Sequence, residues 1–309
     1  MRISLGLPLF DVEHGDEFLS AAAIAEVASA AERVGFDACY VTDHPFPLAR
    51  WVREGGHHAL DPFVALSFAA AATTRLRLHT HILVLPYRNP FLVARAAASL
   101  DVLSGGRMIL GVAAGYLRSE FAALGADFEN RAAITDESID AIRRAWSGEE
   151  IYLEGRYFRA VGNVLAPRPL QRPHPPIWVG GNSQQAIRRA VERGDGWSPF
   201  PNPSASAAHT RTAAIESHAE LAERIAYARE HADRIGRTEP LDVCYALGSR
   251  AAGAFDVNAV RDSVRALAAL GVTWATVRLT APSRDELVAE VARLGGEILP
   301  VAHAAPETR

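Results

Sequence analysis

Eight short apolar runs, each followed by a stretch of helical periodicity or an equivalent excursion, constrain this chain more than any other feature. They lie at 3–7, 38–42, 76–85, 107–112, 177–179, 195–198, 241–246 and 273–279. Four connections repeat one form, helix then glycine then short strand: Val34-Gly35-Phe36, Ser104-Gly105-Gly106, Arg193-Gly194-Asp195 and Leu270-Gly271-Val272. Glycine suits the end of a helix, where the chain must leave the helical path. Strands alternating with helices predict a parallel sheet with crossover connections, and eight such units predict an α/β fold of the (β/α)8 TIM-barrel type. A doubly wound open sheet is the competing architecture, disfavoured because no GxGxxG follows the first strand. A chain of 309 residues would allow two average domains, yet one barrel commonly runs this long, so 1–309 reads as a single barrel domain.

The clearest βαβ unit is 76–120. Leu76–Leu85 is rich in large apolar residues and closed by Pro86, as suits a buried strand. Asn89 and Pro90 then open a helix that Gly105 and Gly106 stop, and Met108–Val112 forms the next strand. Helices are also expected over 18–34, 62–72, 131–146, 183–193, 205–235, 257–270 and 283–298, with 46–60 as a long loop. Residues 149–176 break the alternation. They read as a hairpin around Glu154-Gly155 followed by a proline-rich run lying over one end of the barrel. The stretch around 200–240 is a divergent helical region.

Composition prunes the chemistry. All 32 basic residues are Arg, so Schiff-base aldolases, pyridoxal-phosphate enzymes and Walker-type P-loops, which each need a lysine, are excluded. A net charge of −4 without basic clusters argues against nucleic acid. No signal peptide or membrane-spanning stretch is apparent, and the two cysteines, Cys39 and Cys244, form no CxxC, which fits a reducing cytoplasm.

Five segments in order, VTDHPFP (41–47), ATTRLRLHTHILVLPYRNP (72–90), ASLDVLSGGRMILGVAAGYLRSEF (98–121), PRPLQRPHPPIWVGGNSQQAIRRA (167–190) and RGDGW (193–197), resemble the luciferase-like monooxygenase superfamily. The pattern is most similar to its coenzyme F420-dependent oxidoreductase branch, and FMN users share much of it. The resemblance covers residues 1 to about 200 and is only generic beyond Phe200. It implies F420 (alternatively FMN) as cofactor, a small organic substrate, a homodimer and, for an FMN user, a flavin reductase partner.

Gly180, Gly181 and Asn182 stand where a strand meets a helix start, where unpaired N–H groups and the helix dipole favour a phosphate; a tight turn capped by Ser183 is the plainer use. By resemblance, Thr80-His81-Ile82 is the site of a non-prolyl cis peptide, His81–Ile82, bulging behind the deazaflavin ring. This sequence departs from many relatives in having His81 where they have Gly or Ser. His44, preceded by Asp43 at the end of the second strand, is the candidate acid/base, since imidazole titrates near neutrality; the resemblance gives the equivalent histidine that role. Sugar-phosphate-oxidising relatives place a carboxylate after the second glycine of the GxxxG, where this chain has Tyr116. Gly115 and Ser119 match positions lining the ring and its side chain, and Asp43 is grouped with the cofactor residues. His57, His58 and Asp61 raise a metal-dependent barrel hydrolase as a rival, but no third ligand follows at a recognisable spacing, so no metal is expected. A non-catalytic flavin-binding barrel is the reading from another functional class.

Overall fold

The structure is a computed structural model that describes residues 1–205, 207, 212–251 and 256–304. Eight parallel strands close into a barrel: β1 (Arg2–Gly6), β2 (Ala38–Val41), β3 (Arg77–Val84), β4 (Met108–Ala113), β7 (Ile177–Gly180), β8 (Gly196–Ser198), β9 (Asp242–Ala251) and β10 (Trp274–Thr280). They follow one another around the barrel in chain order, β10 pairing with β1. All eight runs read from the sequence are strands of this barrel, with bounds moved by a residue or two except at β9, which extends to Ala251.

The helices are α1 (Gly15–Phe18), α2 (Ala21–Val34), α3 (Ala49–Arg53), α4 (Pro62–Ala72), α5 (Pro90–Leu103), α6 (Arg118–Ala123), α7 (Arg131–Ala145), α8 (Gln184–Arg193), α9 (His218–Arg234), α10 (Val257–Leu270) and α11 (Arg284–Ala304). Their ends follow from local chemistry. Asp61 and Asn89 accept N–H bonds from the first turns of α4 and α5, each with proline in first place. Gly35 and Gly271 end α2 and α10 at φ 104° and 95°, values that a side chain would disfavour.

The structure corrects the sequence reading in several places. The helix expected over 18–34 is broken at Ser20, whose hydroxyl accepts the Ala23 N–H and starts α2 afresh. The 46–60 loop holds the short helix α3. Helix in the 205–235 region, among the described residues, is concentrated in α9, which begins at a capping box made by Ser217 and Glu220; residues 206 and 208–211 lie outside the described residues. The final helix runs on past 298 to Ala304 with Pro300 inside it.

The 149–176 excursion forms the hairpin β5 (Ile151–Glu154) and β6 (Arg159–Asn163). Its turn is held by Glu137 of α7, which accepts N–H bonds from Arg156, Tyr157 and Phe158. The proline-rich continuation crosses the amino end of the barrel. There the Gln171 amide donates to Asp101 Oδ1 and to the Met108 carbonyl, both at 2.7 Å, and accepts from Arg77 at 2.9 Å. Arg107, buried, donates to carbonyls of Ala70, Thr73, Ser104 and Leu76 at the same end. The LDVLSGGR segment therefore builds the floor of the barrel, and the opposite mouth is left for chemistry. Between them the lumen is filled by Ala38, Ile109, Trp178, Cys244 and Trp274.

Candidate active site

The carboxyl ends of the strands carry the site, as in other barrels of this architecture. β3 is irregular there: its pairing with β4 slips between Thr80 and Leu83, and the His81–Ile82 peptide bond is cis. The alternation of the strand is interrupted at that point, so His81 faces the lumen while Ile82 lies against β7. A Cβ placed on Gly180 would come within 2.3 Å of Ile82 Cδ1, so the Ile82 tip packs directly on the Gly180 backbone and would have to turn aside for any larger residue. Thr80 turns away from the mouth and donates its hydroxyl to the Gly111 carbonyl at 2.9 Å, pinning β3 to β4 beside the irregularity.

His44 follows β2. Its Nδ1 lies 3.3 Å from Oε2 of Glu120, a carboxylate of α6 that is only 1% exposed. A carboxylate accepts and does not donate, so Nδ1 carries the hydrogen and Nε2 is left as the basic atom of the ring. Glu120 also accepts from the Tyr87 hydroxyl at 3.1 Å and from the Phe46 N–H at 3.2 Å. Burial and the neighbouring Glu120 push the Tyr87 phenol upward, which keeps it a neutral donor. Around His44 stand Trp51 and His57, with ring centroids at 4.6 and 4.9 Å, and Tyr116 at 6.3 Å.

Asp43, the neighbour of His44 in the loop after β2, has other partners. Its buried carboxylate holds Arg88 through two bonds of 2.7 and 2.9 Å and accepts the Val84 N–H at 3.0 Å. It braces the carboxyl end of β3 and makes no hydrogen bond to the His44 ring. Burial pushes the carboxyl above its ordinary value, while the Arg88 guanidinium pulls it back.

A cavity of about 200 Å³ opens at the mouth between β1, β2, β3, β9 and β10. Leu7, Leu9, Tyr40, His57, His81 and Arg278 are among the residues that line it. His44 stands behind His57 and is not part of this wall. His57 donates Nδ1–H to the His58 carbonyl at 3.0 Å, and burial together with the nearby His44 pushes the ring down to about 4. Burial alone brings His81 to about 4, and its Nδ1 has no hydrogen-bond partner. Both rings are therefore neutral at pH 7.

Across the mouth, α8 begins just after Gly180-Gly181-Asn182. Ser183 caps it by accepting the Ala186 N–H, and the first N–H groups of the helix have no carbonyl within the helix to bond. The Asn182 side chain is committed elsewhere: it donates to the carbonyls of Phe200 and Ala213 and accepts the Phe200 N–H, all within 3.0 Å. Its own N–H donates to Thr212 at 3.0 Å. Asn182 thus ties the loops after β7 and β8 together. Gly115 lies just past the end of β4 and abuts Val84 and Phe121, whereas Ser119 lies in α6, three residues beyond Tyr116.

The geometry gathers His44, His81, Ile82, Gly115 and Gly180 around one mouth, and gives Asp43, Thr80 and Asn182 bracing bonds beside it. Sequence reasoning missed Glu120 as the partner of His44. The signal was a lone acid in the apolar stretch Glu120-Phe121-Ala122-Ala123, one helical turn beyond Tyr116. Among the described residues no group of three His, Cys, Asp or Glu side chains is placed to hold a metal ion. No helix of the described residues is long and apolar enough to cross a membrane.

An F420-dependent glucose-6-phosphate dehydrogenase of Amycolatopsis mediterranei (strain U-32) is 34% identical over 178 residues, 56% of this chain and 52% of that protein. The match spans about half the length of that relative. A crystal structure of the monooxygenase RslO1 from Streptomyces bottropensis superposes with a TM-score of 0.79 at 21% identity, covering 97% of this chain and 99% of that one. An F420-dependent secondary alcohol dehydrogenase in complex with an F420-acetone adduct gives 0.73 at 17% identity, covering 97% and 98%. At such identities these superpositions speak for the fold. The profile of the luciferase-like monooxygenase family matches residues 8–270, so the chain belongs to that family.

Proposed function

We propose that the chain is an F420-dependent oxidoreductase that moves a hydride between the deazaflavin and a small organic substrate of the alcohol or enone type. The observation that carries this reading is the buried Glu120 carboxylate behind His44, at the same barrel mouth as the irregular β3 end and the open amino end of α8. The relatives named for F420 use support the cofactor.

The residues at the mouth fit such a group. Gly180 lets the Ile82 side chain lie against β7, and the first turn of α8 offers N–H donors to a phosphate. When bound, the deazaflavin supplies the hydride acceptor or donor. His44 would take the proton of an alcohol through Nε2 as the hydride departs, or return it to a carbonyl oxygen in the reverse direction. Glu120 fixes the tautomer and compensates the charge that the ring acquires. Trp51, packed against His44, limits the water that reaches it. FMN with a flavin reductase partner is the alternative, since the same donors suit either phosphate.

The test is turnover by the F420-loaded enzyme across a panel of small alcohols and enones, read as deazaflavin absorbance. The reading predicts reduction or oxidation with at least one of them, and His44→Asn lowering kcat by about 100-fold or more with cofactor affinity unchanged. Tight F420 binding without turnover in either direction would instead favour the non-catalytic barrel.

A further inference from the structure

Two polar side chains on the wall of the mouth cavity, Tyr40 of β2 and His81 of β3, make no hydrogen bond among the described residues. Their rings meet edge to face, with centroids 5.0 Å apart at 68°. Tyr40 reaches across to β1, where its phenol lies over Gly6; a Cβ there would be 2.8 Å from the hydroxyl oxygen. His81 Nδ1 is sealed off without a partner, whereas Nε2 and the Tyr40 hydroxyl keep surface open to the cavity.

Burial pushes the Tyr40 phenol up to about 12 and brings His81 down to about 4, so both are uncharged near neutral pH. A hydrogen on the sealed Nδ1 would have no acceptor, and an orphaned buried N–H is costly. The hydrogen therefore belongs on Nε2, where it meets the cavity. The ring offers one donor there and the Tyr40 hydroxyl a second. Among the described residues no Asp or Glu lines the cavity to accept from them, and Leu7, Leu9 and Ala246 present carbon. Two neutral donors on such a wall suit one uncharged acceptor with two lone pairs, as a carbonyl oxygen is. His44 is not on this wall, and its ring contacts are with Trp51, His57 and Tyr116. Oxygen and proton are thus handled at different places. An alcohol needs its oxygen against the base, whereas an enone is held at oxygen and protonated at carbon.

We propose that Tyr40 and His81 form a two-donor site for the carbonyl oxygen of an α,β-unsaturated substrate. The proposal rests on the reading of the mouth as an oxidoreductase site and chooses the enone among its substrate types. Hydride from the reduced deazaflavin would form the new C–H bond at the β-carbon. The electron pair of the C=C bond then shifts so that the negative charge rests on the oxygen between Tyr40 and His81. The α-carbon takes the proton of the His44 imidazolium, which returns to neutral imidazole. Neutral donors aimed at the oxygen that gains charge stabilise it without being consumed.

The experiment is fluorine NMR titration of the full-length, F420-loaded protein with pentafluorophenolate, which mimics the enolate oxygen, and with pentafluorotoluene, which carries a methyl group in its place. The phenolate should bind about 20-fold or more tightly. A nearby cation alone would also favour an anion, so the deciding variant is Tyr40→Phe, which removes one oxygen. It should weaken the phenolate by about 5- to 10-fold and leave pentafluorotoluene and F420 within about twofold. Cyclohexenone should displace the phenolate about fivefold or more better than cyclohexenol. For His81 the wild-type protein suffices. With nitrogen-labelled histidine, and the signal assigned by its loss in His81→Asn, the hydrogen should sit on Nε2 and its resonance should move downfield when the phenolate binds. Equal binding of phenolate and pentafluorotoluene, phenolate binding unchanged in Tyr40→Phe, a matching loss of F420 affinity in that variant, cyclohexenol competing as well as the enone, or a His81 hydrogen on Nδ1 would each overturn the proposal. Failure of the wild-type protein to load F420 would strike the cofactor reading instead; the same titrations on the unloaded protein then decide the donor pair alone.

Discussion

Replacing His81 by Asn should flatten the acid sensitivity of the folded protein. Burial brings the His81 ring from 6.5 to about 4 in the native state. In the unfolded chain the ring titrates near about 6.5. Between those values the unfolded chain holds a proton that the folded chain refuses, so stability falls as pH drops through this window and is complete above it. Linkage over a window of this width makes the loss about 2 kcal/mol between pH 7 and pH 5 for one imidazole. His57, pushed to about 4 as well, adds a similar slope, whereas Asp43 and Asp242, pushed upward by burial, act in the opposite sense. These contributions are common to wild type and variant and cancel in the comparison. The assay is urea unfolding of the cofactor-free protein at pH 7, 6 and 5, with fluorescence and circular dichroism required to coincide before a free energy is extracted. Any constant offset from the substitution is irrelevant; the difference between the two proteins should change by about 2 kcal/mol over the range. Parallel curves would refute the reasoning. They would mean that water in the mouth cavity solvates the His81 ring well enough for it to protonate in place.

Two further outcomes follow from named contacts. Glu120→Gln turns an acceptor into a donor facing His44 Nδ1, the Tyr87 hydroxyl and the Phe46 N–H, so at least one of the three bonds is lost; steady-state kinetics should show kcat down by about 10- to 100-fold with KM and cofactor affinity little changed. Gly111→Ala would put a Cβ 2.1 Å from the Thr80 carbonyl oxygen and 3.0 Å from His79 Nε2. Backbone cannot swing aside as a side-chain tip does, so a loss of about 1–3 kcal/mol is expected in chemical denaturation, and an unchanged midpoint would count against the close β3–β4 approach.

The barrel was legible because its signals are local. Apolar runs, glycines at helix ends and the Asp61-Pro62 and Asn89-Pro90 starts each act within a few residues, and each appears where expected. The break at Ser20 was not, because no glycine or proline marks it and only the capping hydroxyl reveals a new start. The site was legible in position more than in role. Asp43 and His44 are adjacent in sequence, yet in the loop that follows β2 one bonds to Arg88 and the other to Glu120. Asn182 sits at the helix start, but its amide is consumed by carbonyls of Phe200 and Ala213, partners that only the closed barrel brings near. The 76-residue separation between His44 and Glu120 hid the dyad for the same reason. The cis bond at His81–Ile82 was expected only through family resemblance; nothing in the local sequence requires it.

The central claim, that this barrel mouth holds a deazaflavin and not FMN, is tested most directly by fluorescence titration of the purified cofactor-free protein with each. The account predicts saturable binding of F420 at about micromolar affinity or better, at least tenfold tighter than FMN, and weakened when Gly180 is replaced by Ala over Ile82. Preferential FMN binding, or binding of neither, would contradict it.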